Sequence, residues 1–217
     1  MPVLTYDPEV FSVASLNAAK RIILTQESAD ATTEARWQAE TPYLTDLILG
    51  EMHLGADDVV IDYGCGVGRV SKALIERTGC WVMGVDISPN MRALAAAYVA
   101  SPRFGACAPE MLEKMTALGL RATAAISIWV LQHCFDPAAD IARIRAVLAA
   151  GSSLFVVNNR RRAVPTREAA WTDDGQDIAS LVASRFDAVH QGSLDPAHVT
   201  ETVTNFSFWA SYRKRNN

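Results

Sequence analysis

A short apolar run that ends in an acidic residue and three alternating glycines constrains this chain more than any other feature. Val59, Val60 and Ile61 predict a buried strand, and the sequence from Asp62 to Gly68 reads Asp-Tyr-Gly-Cys-Gly-Val-Gly. Glycine adopts backbone angles that other residues avoid, and it lets a ligand approach the main chain closely. In a doubly wound α/β sheet, such a loop lies at the carboxyl end of the first strand, where ligands bind.

The same alternation of strand and helix signals continues along the chain. Short apolar runs alternate with helix-periodic segments from about residue 56 to residue 157, which predicts βαβ units around a parallel sheet. After the first strand, the predicted parallel strands are residues 81–85, 103–107, 122–131 and 154–157. Two later strands, near 186–191 and 204–213, are close enough to pair as an antiparallel hairpin with a long loop. The predicted fold class is therefore α/β, with a doubly wound, Rossmann-like, seven-stranded mixed sheet.

The chain divides into two predicted parts. Residues 1–55 precede the sheet and form a helical N-terminal cover, in which Leu44, Leu47 and Ile48 belong to one apolar stripe. Residues 56–217 form the ligand-binding core, and 217 residues suffice for one domain with a buried interior. The N-terminal part serves either as a lid that excludes water from the site or as plain packing on the sheet edge.

Composition excludes several classes of protein. The formal net charge of -4 and the pI of 5.6 disfavour a dedicated nucleic-acid binder. No apolar stretch reaches the ~20 residues that span a bilayer, and the first residues do not have the pattern of a signal peptide. The four cysteines form no Cys-x-x-Cys pair, so neither a zinc site nor any other metal site is predicted. Reduced thiols in apolar stretches indicate the cytoplasm.

The glycine spacing distinguishes between two classes of cofactor. Nicotinamide enzymes use Gly-x-Gly-x-x-Gly because the pyrophosphate lies against a helix N-terminus. Counted from Gly64, the third glycine position is held by Arg69, so that spacing fails. The Asp62 carboxylate would also repel a pyrophosphate, whereas it would attract a cofactor with an ammonium group. Asp86 follows the second strand, where a carboxylate can accept hydrogen bonds from ribose hydroxyls.

With these motifs, the chain resembles the class I S-adenosylmethionine-dependent methyltransferases. The resemblance covers roughly residues 35–158 by motif order. Its four blocks are residues 59–68, residues 84–88, residues 126–133 and the fifth strand at residues 154–157. It implies S-adenosylmethionine as the cofactor, and an enzyme that transfers its methyl group to a small-molecule acceptor.

The resemblance also implies roles for individual residues. Asp62 would bind the amino group of the cofactor, Asp86 the ribose hydroxyls, and Ile87 and Met91 the adenine. Ile128 would border the sulfonium. The cofactor-binding residues predicted in this way are Asp62, Tyr63, Gly64, Cys65, Gly66, Asp86, Ile87, Met91, Cys107 and Ile128. The acidic residue that many relatives carry after the third strand is absent, so Cys107 and its neighbours would contact the adenine through their backbone.

The nature of the acceptor is less constrained. The Asn/Asp-Pro-Pro-Tyr/Phe motif of amide and exocyclic-amine methylation is absent, which favours an oxygen acceptor. His133, after the fourth strand, is the candidate general base, although it can equally be a structural loop residue. The run 160–162 of three arginines either binds an anionic group of the acceptor or is a solvated loop. Two other functions remain open: a nicotinamide-dependent oxidoreductase, and a cofactor-binding partner subunit without catalysis.

Overall fold

The computed structural model describes residues 5–215, which form one seven-stranded sheet with helices on both faces. The strands are β1 (Val59–Tyr63), β2 (Trp81–Val85), β3 (Phe104–Cys107), β4 (Ala122–Ile128), β5 (Leu148–Asn159), β6 (Phe186–Gly192) and β7 (Ser207–Lys214). The helices are α1 (Leu16–Ile23), α2 (Thr33–Glu51), α3 (Arg69–Thr78), α4 (Pro89–Val99), α5 (Pro109–Ala117), α6 (Pro137–Val147), α7 (Ile178–Ala183) and α8 (Glu201–Phe206). A short 3-10 turn, Pro8–Phe11, precedes them.

The order of strands across the sheet is β3-β2-β1-β4-β5-β7-β6. The first five strands in this order are parallel, β7 is antiparallel to β5, and β6 is antiparallel to β7. The order reverses between β1 and β4, so the carboxyl ends of these two strands flank the crevice in which doubly wound sheets bind ligands. The prediction of a doubly wound, seven-stranded mixed sheet with a C-terminal antiparallel pair is confirmed.

Local sequence signals explain where several helices begin and end. The Ser88 hydroxyl accepts a hydrogen bond from the Met91 N–H, and Pro89 occupies the first position of α4. Gly79 ends α3 in the left-handed conformation, with φ of 70°, which a glycine adopts without strain. Each of these boundaries depends on one residue and its immediate neighbours.

Two apolar layers cover the sheet. On one face, α5, α6 and α7 pack on buried residues of β1, β4 and β5, among them Ile61 and Val156. On the other face, α2, α3 and α4 pack on Val60, Ile126 and Phe155. A third and smaller cluster joins α1 and α2 to the glycine loop and α4. The N-terminal helices therefore lie over the end of the sheet that carries the loop.

The structure corrects three predicted boundaries. The fourth strand ends at Ile128 rather than at residue 131, because Trp129 adopts a left-handed φ of 56° and turns the chain. The fifth strand begins at Leu148, well before the predicted Leu154, and the chain passes through Gly151 at φ of 73°. A short helix, α8, occupies residues 201–206, where the sequence was interpreted as a loop and the start of the last strand.

Within residues 5–215, no helix combines the length and the apolar character that crossing a bilayer requires. The four cysteines in this range are free thiols, and three of them are buried. The same residues contain no group of three or more His, Cys, Asp or Glu side chains placed to hold a metal ion.

Candidate active site

A cavity of about 910 Å³ opens at the carboxyl ends of β1, β2, β4 and β5. Its walls come from the glycine loop, from the segments that follow β4 and β5, and from the N-terminal segment and α1. This volume lies in the upper part of the ~300–1,000 Å³ range of small-molecule sites. The cavity is therefore large enough for a cofactor and an acceptor side by side.

The glycine loop turns sharply between β1 and α3. Gly64, Gly66 and Gly68 have φ angles of 79°, 54° and 77°, a region that L-residues with side chains avoid. Space is also restricted, because a Cβ on Gly64 would lie 2.2 Å from Cγ2 of Val130. A Cβ on Gly66 would lie 2.8 Å from Cδ1 of Ile23, on α1. Glycine is therefore required here by both backbone conformation and close packing.

Asp86, at the end of β2, fixes the loop to the neighbouring strand. Its Oδ2 accepts a hydrogen bond from the Gly66 N–H at 2.9 Å, and its Oδ1 accepts one from the Ser88 N–H at 2.8 Å. Burial raises the pKa of this carboxyl, while the two N–H donors oppose the shift. Each carboxylate oxygen can accept a further hydrogen bond, so Asp86 has capacity to bind a ligand as well as to hold the loop.

Asp62, at the end of β1, is the most buried acid of the site. Its Oδ2 accepts a hydrogen bond from the Ser71 hydroxyl at 2.5 Å, across the first turn of α3. Burial raises its pKa from 3.8 to about 6, and the nearby negative charge of Asp86 adds to the rise. Within residues 5–215, neither Asp62 nor Asp86 has an ion-pair partner. The site thus contains one buried and one partly buried carboxyl group, neither in an ion pair within the described residues.

The structure brings all but one of the predicted site residues to this cavity. The residues that line it are Asp62, Tyr63, Gly64, Cys65, Gly66, Asp86, Ile87, Met91, Ile128 and His133. Cys107 is not among the lining residues. It is buried at the end of β3, in the core cluster that also contains Val85 and Leu112.

His133 lies in the segment that follows β4. Its Nδ1 is 2.6 Å from the Ala163 carbonyl oxygen, and its Nε2 is 3.2 Å from Nε2 of Gln132. A carbonyl oxygen can only accept, so this contact assigns the ring proton to Nδ1 and leaves the Nε2 lone pair facing the Gln132 amide. Burial lowers the pKa of the ring below its usual value of 6.5, so the imidazole is neutral at neutral pH.

Sequence reasoning missed two arginines in the wall of the cavity. Arg69 follows the last glycine of the loop and is buried, with its guanidinium near the rings of Trp37 and Trp129. Burial lowers its pKa to about 10. Arg36, on α2, forms ion pairs with Glu27 at 2.8 Å and Glu40 at 2.7 Å. The position of Arg69 directly after the glycines was a usable signal, whereas Arg36 reaches the site only through the packing of α2.

Sequence reasoning also missed a set of aromatic side chains that line the cavity. Together with His133, they form what we name the aromatic wall: Tyr6, Phe11, His133, Phe135 and Trp171. The ring of His133 is 5.8 Å from that of Phe11 and 5.1 Å from that of Trp171, centroid to centroid. Residues 6, 11 and 171 are remote from the central motif in sequence, and no periodic pattern relates them to it.

The arginine run divides into three different environments. Arg162 is buried, pairs with Asp174 at 3.0 Å and donates to the Leu131 carbonyl at 2.7 Å, so it holds the loop together. Arg161 lines the cavity, whereas Arg160 does not. Arg162 also lines the cavity but is buried, so it is not part of a solvated loop, whereas the alternative of a ligand site stays a prediction for the run.

Comparisons with known proteins agree with this geometry. Residues 61–156 match a family model described as a methyltransferase domain. A comparison of the sequence with curated proteins finds no significant match. Among solved structures, the chain is similar to the N-methyltransferase NodS from Bradyrhizobium japonicum WM9 with bound S-adenosyl-L-homocysteine. That likeness has 14% identity and a TM-score of 0.63 over 90% of this chain and 96% of that chain.

Two further structures show the breadth of the fold. The magnesium protoporphyrin IX methyltransferase from Synechocystis PCC 6803 has 16% identity and a TM-score of 0.63, over 95% of this chain and 97% of its own. The cyclase SpnF has 16% identity and a TM-score of 0.62, over 81% of both chains. Residues 61–156 thus match a methyltransferase domain, and the chain has the Rossmann-like fold seen in class I S-adenosylmethionine-dependent methyltransferases.

Proposed function

We propose that this protein binds S-adenosylmethionine and transfers its methyl group to an oxygen atom of a small-molecule acceptor. The observation that carries the proposal is a pair of carboxyl groups on either side of the glycine loop, buried Asp62 and partly buried Asp86, neither of which has an ion-pair partner within residues 5–215. Burial disfavours both charges, and Arg69 and Arg92 offset this only in part, without a direct ion pair to either carboxylate. A ligand with an ammonium group would relieve that penalty, whereas a pyrophosphate would increase it.

The residues present fit this cofactor in three respects. Asp86 can accept ribose hydroxyls on the lone pairs that Gly66 and Ser88 leave free. Gly64 and Gly66 line the cavity, so their main chain can contact the methionine part. Half-exposed Ile87 and buried Met91 offer apolar surface beside Asp86 for the adenine. When bound, S-adenosylmethionine supplies an electrophilic methyl group on a sulfonium.

On the acceptor side, we assign His133 to hold the proton that a hydroxyl group loses during transfer. The Ala163 carbonyl fixes the proton on Nδ1, and the low pKa keeps Nε2 unprotonated at neutral pH. An acceptor hydroxyl would displace the Gln132 amide from Nε2. Catalysis depends mainly on alignment of the two substrates, because the sulfonium already makes the methyl group electrophilic and no covalent intermediate with the protein is needed.

The N-terminal part, residues 1–55, belongs to the proposal as a cover over the cofactor. The packing of Ile23 on Gly66 supports this role, because α1 lies directly over the loop that would hold the methionine part. Water excluded by such a cover could not compete for the polar groups of the site. Residues 56–217 would then form the binding core.

Calorimetric titration tests the cofactor assignment. The wild-type protein, Asp86→Asn and the exposed control Asp57→Asn are each titrated with S-adenosylhomocysteine and, separately, with NADH. We expect S-adenosylhomocysteine to bind the wild-type protein and to bind Asp86→Asn at least tenfold more weakly, a loss of about 1.4 kcal/mol or more. Its affinity for the control variant should equal that for the wild-type protein. Binding of NADH alone would overturn the proposal in favour of an oxidoreductase.

Turnover requires its own experiment, since a similar fold is found in a protein named as a cyclase. Release of S-adenosylhomocysteine from a panel of hydroxylated small molecules reports methyl transfer directly. We expect His133→Asn to lower kcat at least tenfold while S-adenosylhomocysteine affinity is retained. Cofactor binding with no turnover on any acceptor would instead indicate a non-catalytic partner subunit.

A further inference from the structure

The exposed apolar side chains of this protein are concentrated at the cavity. Within residues 5–215, nine large hydrophobic side chains are exposed, and five of them line the cavity. These five are Ile22, Ile87, Phe135, Trp171 and Phe206. Exposed apolar surface that is gathered at one site, rather than scattered, marks a place where a ligand or partner binds. Ile87 belongs to the proposed adenine site, so the other four are available to a second molecule.

The aromatic wall gives this second site a shape. Phe11 and Trp171 lie 6.3 Å apart, centroid to centroid, and His133 is the third member of the same group of rings. Tyr6 and Phe135 form a neighbouring pair at 5.4 Å. Aromatic rings prefer offset-stacked or edge-on neighbours at these separations. A ligand with a flat ring system can therefore stack beside these rings, and a hydroxyl group on that ligand can lie close to His133.

Backbone hydrogen bonds fix the segments that carry the aromatic wall. The Asp7 N–H donates to the Pro165 carbonyl and the Arg167 N–H to the Thr5 carbonyl, both at 3.0 Å, so the N-terminal segment pairs with the loop after β5. Within that loop, Val164 pairs with Thr172, next to Trp171. These backbone bonds fix the positions from which Tyr6 and Trp171 reach the cavity.

The proposed second site also contains a positively charged residue, Arg161. Arg161 lines the cavity and, within residues 5–215, its side chain has neither an ion pair nor a hydrogen-bond partner. The next residue, Arg162, is committed to Asp174, and Arg36 is committed to two glutamates. This exposed guanidinium, in the same cavity as the aromatic wall, can pair with an acceptor that carries a carboxylate or a phosphate.

We propose that the acceptor is a planar aromatic molecule with one anionic substituent, whose ring packs on Phe11 and Trp171 and whose anion pairs with Arg161. The proposal rests on the proposed function, because it places the acceptor beside the cofactor in the same cavity.

Matched probes separate the contributions of ring and charge. Hydroxynaphthoate carries both features, naphthol lacks the anion, and hydroxydecanoate lacks the ring. Each is titrated calorimetrically into the protein saturated with S-adenosylhomocysteine. We expect hydroxynaphthoate to bind at least tenfold more tightly than either of the other two. Equal binding of hydroxydecanoate would overturn the aromatic part of the proposal, and equal binding of naphthol would overturn the anionic part.

Variants with matched controls assign the effect to residues. We expect Arg161→Ala to remove the preference for hydroxynaphthoate over naphthol, whereas Arg160→Ala, outside the cavity, changes affinity less than twofold. We expect Trp171→Ala to weaken both aromatic probes at least tenfold. Trp81→Ala is its control, because Trp81 and Trp171 are both 49% exposed but only Trp171 lines the cavity. Equal effects of a variant and its control would contradict the assignment.

The titration with S-adenosylhomocysteine alone distinguishes two kinds of failure. If it binds and no preference for hydroxynaphthoate appears, the acceptor class is wrong while the proposed function stands. If it does not bind to the wild-type protein, the proposed function fails and the acceptor class fails with it.

Discussion

Asp62→Asn is expected to make the protein more stable and its cofactor site weaker. Asp62 has no ion-pair partner in the described part of the chain, and burial raises its pKa from 3.8 to about 6. The folded state therefore binds the proton of Asp62 more tightly than the unfolded state does. For an acid whose pKa is raised on folding, stability decreases as the pH rises between the two values, and the full loss is present above about pH 6.

The size of the effect follows from the same shift. One pKa unit corresponds to about 1.4 kcal/mol, so the ionised Asp62 lowers the free energy of unfolding by about 3 kcal/mol at pH above about 6. An asparagine carries no charge, and its carbonyl oxygen can still accept the Ser71 hydroxyl. We expect Asp62→Asn to stabilise the protein by about 2–3 kcal/mol near pH ~7.5 and by about 1 kcal/mol near pH ~4.5.

Urea denaturation at the two pH values measures this difference. Asp57→Asn is the matched control, because Asp57 is exposed and is expected to change little at either pH. A titration with S-adenosylhomocysteine at the higher pH is expected to show at least tenfold weaker binding in Asp62→Asn. An equal change in the free energy of unfolding at both pH values, or a destabilisation that grows with pH, would refute the electrostatic argument. Unchanged affinity would refute the role of Asp62 in binding.

Two further predictions concern packing around the cavity. Gly64→Ala places a Cβ 2.2 Å from Val130 at φ of +79°, and we expect it to lower the free energy of unfolding by about 2 kcal/mol or more. Urea denaturation checks this, and a Val130→Ala second substitution should restore only part of the loss; full recovery would mean that the backbone angle is unimportant. Asp174→Ala leaves the Arg162 guanidinium buried without its carboxylate, at an expected cost of about 3 kcal/mol. Asp173→Ala is the exposed control, and similar losses in both variants would contradict the role of the buried pair.

Sequence reasoning succeeded where a feature depends on a few adjacent residues. Asp86 was assigned to the site because it ends a predicted strand, and parallel strands bring their carboxyl ends to one edge of a sheet. The structure indeed joins it to Gly66, 20 residues earlier. The cap at Ser88 and the helix end at Gly79 are of the same local kind, because each boundary is set by one side chain or one backbone angle.

Prediction failed where distant segments decide the outcome. Nothing in the sequence near Tyr6 indicates that it pairs with the segment around Thr166, and nothing near Trp171 indicates a ring beside His133. The start of β5 at Leu148 is similar, because helical periodicity continues through residue 148 until pairing with β4 takes over. Arg162 was grouped with its neighbours because a run of like charges does not show which member is buried.

The pairing of the N-terminal segment with the loop after β5 has a consequence for how proteins with this fold can change their acceptor. The matched domain, residues 61–156, contains the glycine loop and both site aspartates, whereas Tyr6, Phe11 and Trp171 lie outside it on either side. The two flanking segments are hydrogen-bonded to each other, so they can be replaced as a pair without altering the glycine loop. Under our proposal, acceptor choice can then be exchanged by grafting two short segments onto an unchanged donor site.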